Sequence, residues 1–439
     1  MRALKRRLGP LAAQLEKRFR LLTFAGTLLP TVSALGVQLV AFALTARSLG
    51  LEPFGVYTAL LAVSVLSVEL VGLGGADLLV RGVAHEPARF PALFGNLLIL
   101  TVLTLPLVVL GGVFVARDLM GTPLGFLPVA LVIGGEILVG RAAASLELIM
   151  VAHRHTVRAG AIRFATASIR LLTAAVFFLA LGRSDLGGWI WAAFIQSVAT
   201  TLVYVALAIG LYGRPKPVLL TADLKAGFAF CVNQASRSSQ GSLDRIVLSR
   251  FADAASVGIY GAASRVLALG LFPIQVVTRM TYPNFFVHGK GGIRASRRYA
   301  LRVMPVMLLV GLAASAAVAL AGWFAPDVLG RDFEGMVGIT AALGLSLPLI
   351  AIQYPAADAL TGAGRQGLRA ILSVIAAFGF GIVMALGARL DGIEGLVIAF
   401  LASHALFALA LWTAAFVAQD KPATRAETAV VSEADAASA

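Results

Sequence analysis

The side chains in this sequence that could do chemistry are few and mostly of one kind. Six arginines, Arg141, Arg170, Arg237, Arg245, Arg265 and Arg279, stand inside long apolar runs and away from their ends, where no lysine does. A cation at the centre of a bilayer costs at least about 2.5–3.5 kcal/mol unless it faces a wet cavity or a partner, so six need a reason. Arginine keeps its charge when desolvated, and its planar fork can grip two phosphate oxygens at once. That chemistry suits a pyrophosphate headgroup or acidic sugars. In the run 223–249, Asn233, Arg237, Gln240 and Asp244 fall within about 60° of one another on a helical wheel, forming one polar stripe. Arg265 and Arg279 lie within about 40° of each other on the following helix. Ordered by depth, Arg279, then Arg237, then Arg245 with Arg265 make a ladder of cations from the inner to the outer side. An anionic headgroup would pass along it while the lipid tail stays in the bilayer. The plainer alternative is that these arginines pair with carboxylates and hold helices together, and Arg170, with no companion stripe, fits that alternative best.

The carboxylates also have two readings. Glu147 and Asp358 each stand seven residues before an arginine, near the inner ends of their spans, which points to a gate of ion pairs. Glu69, Glu136 and Asp244 are candidates to carry a coupling H+ or Na+, because a carboxylate in a polar interior can bind and release either. Asp77 adds a further charge to the first half. His85, His288, His153 and His155 fall in connections and read as solvated loop residues. Pro30, Pro106, Pro273, Pro305 and Pro348, inside spans, are hinges for rocking or plain kinks.

The elements that must position these groups follow from composition. Of 439 residues, 13% are charged and 59% hydrophobic, with 45 glycines besides. Soluble domains carry roughly 25% charge, and no soluble globule can hide so much apolar surface. The excess must face lipid, in stretches of about 20 residues. Twelve such spans are expected, at 21–46, 54–79, 92–116, 125–151, 161–181, 187–212, 223–249, 255–286, 299–323, 335–357, 367–388 and 392–418. The first is too long for a cleaved signal segment. The single cysteine, Cys231, allows no intrachain disulfide and no Cys/His metal signature.

Positive charge orients the chain. With the N-terminus in the cytoplasm, 24 Lys and Arg fall on the inner side and only Arg47, Arg117, Arg183, Arg250, Arg331 and Arg389 on the outer, so both termini are expected inside. Most of the net charge of +14 is therefore a topology signal and not a nucleic-acid footprint. The basic segment 1–20 serves as that signal or lies along the anionic inner leaflet, and the tail 419–439 reads as disordered.

The second half repeats the first. An offset of 203 pairs Arg47 with Arg250, Gly55 with Gly258, Val56 with Ile259, Tyr57 with Tyr260 and His85 with His288. An offset of 211 pairs Glu147, Arg154 and Arg158 with Asp358, Arg365 and Arg369. Six spans per copy give both copies the same orientation, as in transporters built from parallel repeats. The expected architecture is an all-α integral membrane protein with a six-helix bundle at 21–213, a cytoplasmic linker at 214–222, a second bundle at 223–418, and a central cavity between lobes.

The stretch Ala46-Arg47-Ser48-Leu49-Gly50-Leu51-Glu52-Pro53-Phe54-Gly55-Val56-Tyr57 resembles the start of polysaccharide biosynthesis proteins of the Wzx flippase type. So do Leu243-Asp244-Arg245 and Val257-Gly258-Ile259-Tyr260-Gly261-Ala262-Ala263-Ser264-Arg265. These belong to the multidrug/oligosaccharidyl-lipid/polysaccharide (MOP) exporter superfamily, which also holds multidrug and toxic-compound extruders and lipid II flippases. Lipid II flippases usually carry fourteen spans, a departure from the twelve expected here. The resemblance implies a transporter and not an enzyme. It would move undecaprenyl-pyrophosphate-linked oligosaccharide repeat units of O-antigen, capsule or exopolysaccharide across the bacterial cytoplasmic membrane by alternating access. It further implies no cofactor beyond a coupling H+ or Na+. The implied partners are the lipid-linked oligosaccharide, membrane lipids, a polysaccharide polymerase and a chain-length regulator, with no nucleic acid, for a monomeric protein. Two alternatives stay open. An exporter of small solutes from the same superfamily would usually carry cations, which an arginine-rich lining disfavours. A polysaccharide polymerase or ligase would generally need a large outer loop, and every outer loop here is short.

Overall fold

The computed structural model describes residues 30, 32–153, 155–221, 224, 227, 228, 231, 234, 235, 238 and 241–419. Expectations for the basic segment 1–20 and for the tail beyond Gln419 lie outside them, as do Asn233, Arg237 and Gln240. The described residues are almost wholly helical, with no strand among them. Among the described residues ten stretches are long and apolar enough to cross a membrane, and the protein is a multi-pass membrane protein. Lipid leaves no water to satisfy backbone N–H and C=O groups, so each crossing must close its hydrogen bonds within one helix.

The helices are α1 (Val32–Leu49), α2 (Leu51–Leu70), α3 (Gly75–His85), α4 (Phe90–Phe114), α5 (Phe126–Ala152), α6 (Thr156–Ala174) and α7 (Leu186–Tyr212). After them come α8 (Leu243–Phe251), α9 (Ala254–Gly289), α10 (Gly292–Leu329), α11 (Met336–Gly344), α12 (Ser346–Gly362) and α13 (Gln366–Val417). The last is two limbs, because Asp391 and Gly392 leave helical geometry where spans eleven and twelve were expected to part. Two helix starts are capped by aspartates. Asp185 accepts from the Gly188 amide at α7 and Asp253 from the Ser256 amide at α9. Hydrogen bonds from the Ser256 hydroxyl and then its amide hold the exposed Asp253 carboxyl below its usual range.

One expected span is corrected. The run 54–79 is not continuous, because α2 stops at Leu70 and α3 starts at Gly75. Between them Gly72 (φ 75°), Leu73 (φ 44°) and Gly74 (φ 69°) turn left-handed in succession. Two glycines make that turn accessible, and the Gly72-Leu73-Gly74-Gly75 run was the signal for it. Arg47 also lies within α1, and not in a connection after it.

The chain divides into two compact units, residues up to Ala262 with Phe324–Met336, and Ala263–Trp323 with the residues from Val337. In the first unit, α2 crosses the start of α9 glycine to glycine. A Cβ on Gly55 would stand 1.8 Å from the Ala254 carbonyl oxygen, and one on Gly258 would stand 2.7 Å from that of Leu51. The matched Gly-x-Tyr segments of the two repeats thus pack on each other, as small residues allow where helices meet in lipid. In the second unit the limbs of α13 meet in the same manner at Gly387 and Gly395.

Candidate functional site

The interior of the first unit holds most of the intramembrane charge, and each arginine there has its own surroundings. Arg170 on α6 donates through Nη2 to Glu136 Oε2 on α5, a partly buried ion pair near mid-span. Near the end of the same two helices, Arg163 Nε reaches Glu147 Oε2 at 2.7 Å. Both pairs tie α5 to α6, and both acids come from one helix because positions eleven apart recur on one face.

Asp244 and Arg245 form a third group at the start of α8. The buried Asp244 accepts from the Tyr260 hydroxyl at 2.9 Å through Oδ2, and from the Arg245 amide at 2.8 Å through Oδ1. Arg245 donates through Nη2 to the Gly241 carbonyl at 2.7 Å, and its Nε stands 3.7 Å from Asp244 Oδ1. Tyr260 comes from the motif segment of α9, so the repeat-matched tyrosine serves to satisfy a buried carboxylate.

Arg141, on α5, differs from these. It is 7% exposed, and among the described residues its Nε and Nη2 meet no acceptor. Glu69 at the end of α2 and Asp77 at the start of α3 are close enough to act on it electrostatically. Glu69 is partly occupied elsewhere, since its Oε1 accepts from Ser238 Oγ at 3.1 Å and its carbonyl from Cys231 Sγ at 3.2 Å. The guanidinium lies against the left-handed turn between α2 and α3, where a Cβ on Gly72 would come within 3.3 Å of both Nε and Nη2.

In the second unit, Asp358 on α12 pairs with Arg369 on α13, Nη1 to Oδ1 at 3.1 Å, and the same Nη1 donates to Thr361 Oγ1 at 2.7 Å. Arg265 is partly buried and Arg279 exposed, both on α9. Sequence spacing pointed Glu147 and Asp358 at arginines seven residues on; Arg154 lies outside the described residues, and the partners observed among these are Arg163 for Glu147 and Arg369 for Asp358, on neighbouring helices. No group of three or more His, Cys, Asp or Glu that could hold a metal occurs among the described residues.

One buried polar pair was not expected from the sequence. Gln353 Nε2 donates to the His404 carbonyl at 2.8 Å and stands 3.3 Å from His404 Nδ1, joining α12 to the second limb of α13. A lone histidine inside an apolar run was the available signal. The connection histidines are also less free than expected. Nδ1 of His85, His153 and His288 each donates to the carbonyl four residues earlier, and His153 packs on Tyr212 with centroids 4.3 Å apart.

Comparison with known proteins places this architecture. Residues 24–288, more than half of the chain, match the family described as polysaccharide biosynthesis protein. No curated protein matches the chain in sequence. Among solved structures, the lipid II flippase MurJ in an inward closed conformation is similar with a TM-score of 0.68 at 15% identity, over 89% of this chain and 87% of that one. An inward-facing multidrug resistance MATE family transporter of the MOP superfamily gives 0.62 at 15% identity, over 87% and 94%. The Vibrio cholerae MATE transporter VcmN gives 0.60 at 16% identity, over 92% and 97%. The fold is therefore shared with these transporters.

Proposed function

Because the chain belongs to the polysaccharide biosynthesis protein family, we propose that it is a flippase. It carries undecaprenyl-pyrophosphate-linked oligosaccharide repeat units from the inner to the outer leaflet of the bacterial cytoplasmic membrane by alternating access, with both termini cytoplasmic. The observation that supports this best is the make-up of the interior charge: the cations away from the span ends are all arginine, and two of them, Arg141 and Arg245, are buried. Arginine in a desolvated setting selects oxyanions, and a pyrophosphate headgroup is the oxyanion that members of such a family would meet in the membrane.

The ion pairs suggest how a coupling ion would enter. While Glu136 and Asp244 are charged, Arg170 and Arg245 are engaged and offer the headgroup little. Taking up H+ or Na+ at either carboxylate weakens its hold and frees a guanidinium for substrate. Release of the ion restores the pair and expels the headgroup. In this scheme the protein is a transporter and not an enzyme. Its partners are the lipid-linked oligosaccharide and membrane lipids, with a polymerase and a chain-length regulator acting on the product.

Export of small solutes is the second reading, favoured by the carboxylates Glu69 and Asp77, which stand near one buried arginine with no ion pair of their own among the described residues. Deleting the protein and analysing membrane lipids separates the two. Lipid-linked repeat units accumulating on the inner leaflet, with loss of surface polysaccharide, is the expected result. Unchanged surface polysaccharide with altered drug tolerance would reject the flippase.

A further inference from the structure

We propose that the arginine-lined groove where the start of α10 meets the end of α13 binds an acidic phospholipid of the surrounding bilayer, a lipid that stays in its leaflet and is not cargo. The groove lies within the second unit and is lined by Arg294, Arg297, Phe416, Val417, Ala418 and Gln419. Its volume of about 560 Å³ falls in the roughly 300–1,000 Å³ range of small-molecule sites, room for a lipid headgroup and not only for a lone ion.

The depth of the groove follows from α10 itself. Ile293, Ser296, Ala300, Val303 and Met307 are buried in the unit, and Ser296 Oγ donates to the Ala359 carbonyl on α12 at 3.0 Å. That packing leaves Arg294, Arg298 and Arg302 exposed on the opposite side of the helix, within about 80° of one another on the helical wheel. Leu309, Leu312, Leu320 and Trp323 continue the same exposed face, and no polar side chain is exposed on α10 between Arg302 and Trp323. Those two residues are separated by about 32 Å at 1.5 Å per residue, which matches a hydrocarbon layer about 30 Å thick. An arginine at one border and a tryptophan at the other therefore mark the two interfaces. Arg298 stands about 6 Å further out, in the headgroup layer, and Arg294 about 12 Å, at its outer edge.

Charge selects an acidic headgroup. No Asp or Glu lies on α10 before Asp327, and none of Arg294, Arg297, Arg298 and Arg302 is in an ion pair among the described residues. Orienting a span asks only for positive charge, which lysine supplies as well. Here all four cations are arginine, and Arg297 is held in place. Its Nη1 donates to the Phe416 carbonyl at 3.1 Å, and its Cζ lies 4.7 Å from the centre of the Phe416 ring. A guanidinium fixed in this way keeps the rest of its fork for phosphate oxygens. Basic pockets between helices at a membrane surface suit acidic headgroups. Phe416 and Val417 add exposed apolar surface to the groove, and exposed Leu301 follows towards the bilayer, where the acyl chains of such a lipid begin.

The test titrates the purified full-length protein in detergent with phosphatidylglycerol, or with phosphatidylcholine of the same acyl chains, and counts bound lipid by native mass spectrometry. Phosphatidylglycerol is expected to bind at about tenfold lower concentration than phosphatidylcholine. Arg294→Gln/Arg297→Gln/Arg298→Gln should erase that preference. Arg158→Gln/Arg214→Gln/Lys216→Gln, which removes the same charge from exposed positions of the first unit, should keep it. Phe416→Leu leaves the charge unchanged but takes away the ring under Arg297, and should narrow the preference by about threefold. It serves if the triple groove variant does not insert. Equal binding of the two lipids by wild type, a preference unaltered in both groove variants, or an equal loss in the two triple variants would overturn the site. A preference that emerges only when the residues beyond Gln419 are removed would overturn the lipid as occupant and assign the groove to the chain's own tail, which departs from its wall at Gln419.

Discussion

Replacing Asp244 by Asn removes one buried charge that Tyr260 and Arg245 both depend on. At 3.7 Å the Arg245 Nε to Asp244 Oδ1 attraction is about 4–5 kcal/mol at an effective dielectric near 20, before the desolvation of both groups is subtracted. The Tyr260 hydroxyl bond to a carboxylate contributes about 1.5–3 kcal/mol. An Asn of the same shape keeps a weaker hydroxyl contact but leaves the Arg245 charge, 8% exposed, with only the Gly241 carbonyl. Breaking one side of a buried pair typically costs about 3–5 kcal/mol, and Asp244→Asn should fall in that range. Arg245→Met removes the stranded charge, so the double variant Asp244→Asn/Arg245→Met should be no less stable than Asp244→Asn alone. The coupling between the two sites should be about 1–3 kcal/mol. Thermal unfolding of the four proteins in one detergent, at one scan rate, measures this, with Asp244→Asn melting several degrees below wild type. Tyr260→Phe supplies the third leg and should be milder than Asp244→Asn. Additive losses in the double variant, or an Asp244→Asn protein that melts with wild type, would refute the assignment of Arg245 to a structural cluster.

Other outcomes follow from single contacts. Gly55→Leu puts side-chain atoms where the Ala254 carbonyl stands and should abolish a monodisperse chromatography peak, whereas Gly111→Ala, with nothing within 4 Å, should be neutral or stabilising by up to about 1 kcal/mol. Glu147→Gln should cost less than about 1 kcal/mol in a melting assay, because Arg163 is 54% exposed and water replaces its partner, while Glu136→Gln beside the better covered Arg170 should cost more. Asp253→Ala should lower stability by about 0.5 kcal/mol, the low end for an exposed helix cap. Because Ser256 holds that carboxyl below its usual range, the difference from wild type should be full above the ordinary carboxylate range and vanish as pH falls through the lowered value.

The crossings themselves were legible because lipid imposes length and polarity on every segment, and those are one-dimensional properties. The outlying case is the break at Gly72 to Gly74, which hydropathy cannot register because Val71, Leu73 and three glycines all score as apolar; only the left-handed preference of glycine marks it. The residues of the interior charge were legible for the same reason that they are costly: an arginine in an apolar run stands out. Their partners were not. Asp358 stands seven residues before Arg365 but meets Arg369, and Glu147 meets Arg163, because a helix hairpin brings together residues at equal depth and not at fixed separation. Tyr260 was visible as a repeat-matched tyrosine, yet its acceptor Asp244 lay in a run read as a transport stripe.

That distinction between type and pairing decides what an intramembrane arginine can do. A guanidinium already bonded to carboxylate or carbonyl, as in Arg170 and Arg245, presents a substrate with a nearly neutral surface, and an anion must displace its partner to bind. Arg141 differs, because among the described residues its Nε and Nη2 are buried and meet no acceptor. Gly72 leaves room for it, since a Cβ there would come within 3.3 Å of both nitrogens, and among the described residues no ion pair joins Arg141 to Glu69 or Asp77. The same run that interrupts α2 and α3 thus borders a buried arginine with two unmatched nitrogens among the described residues, and the helix break and that guanidinium are two aspects of one local arrangement.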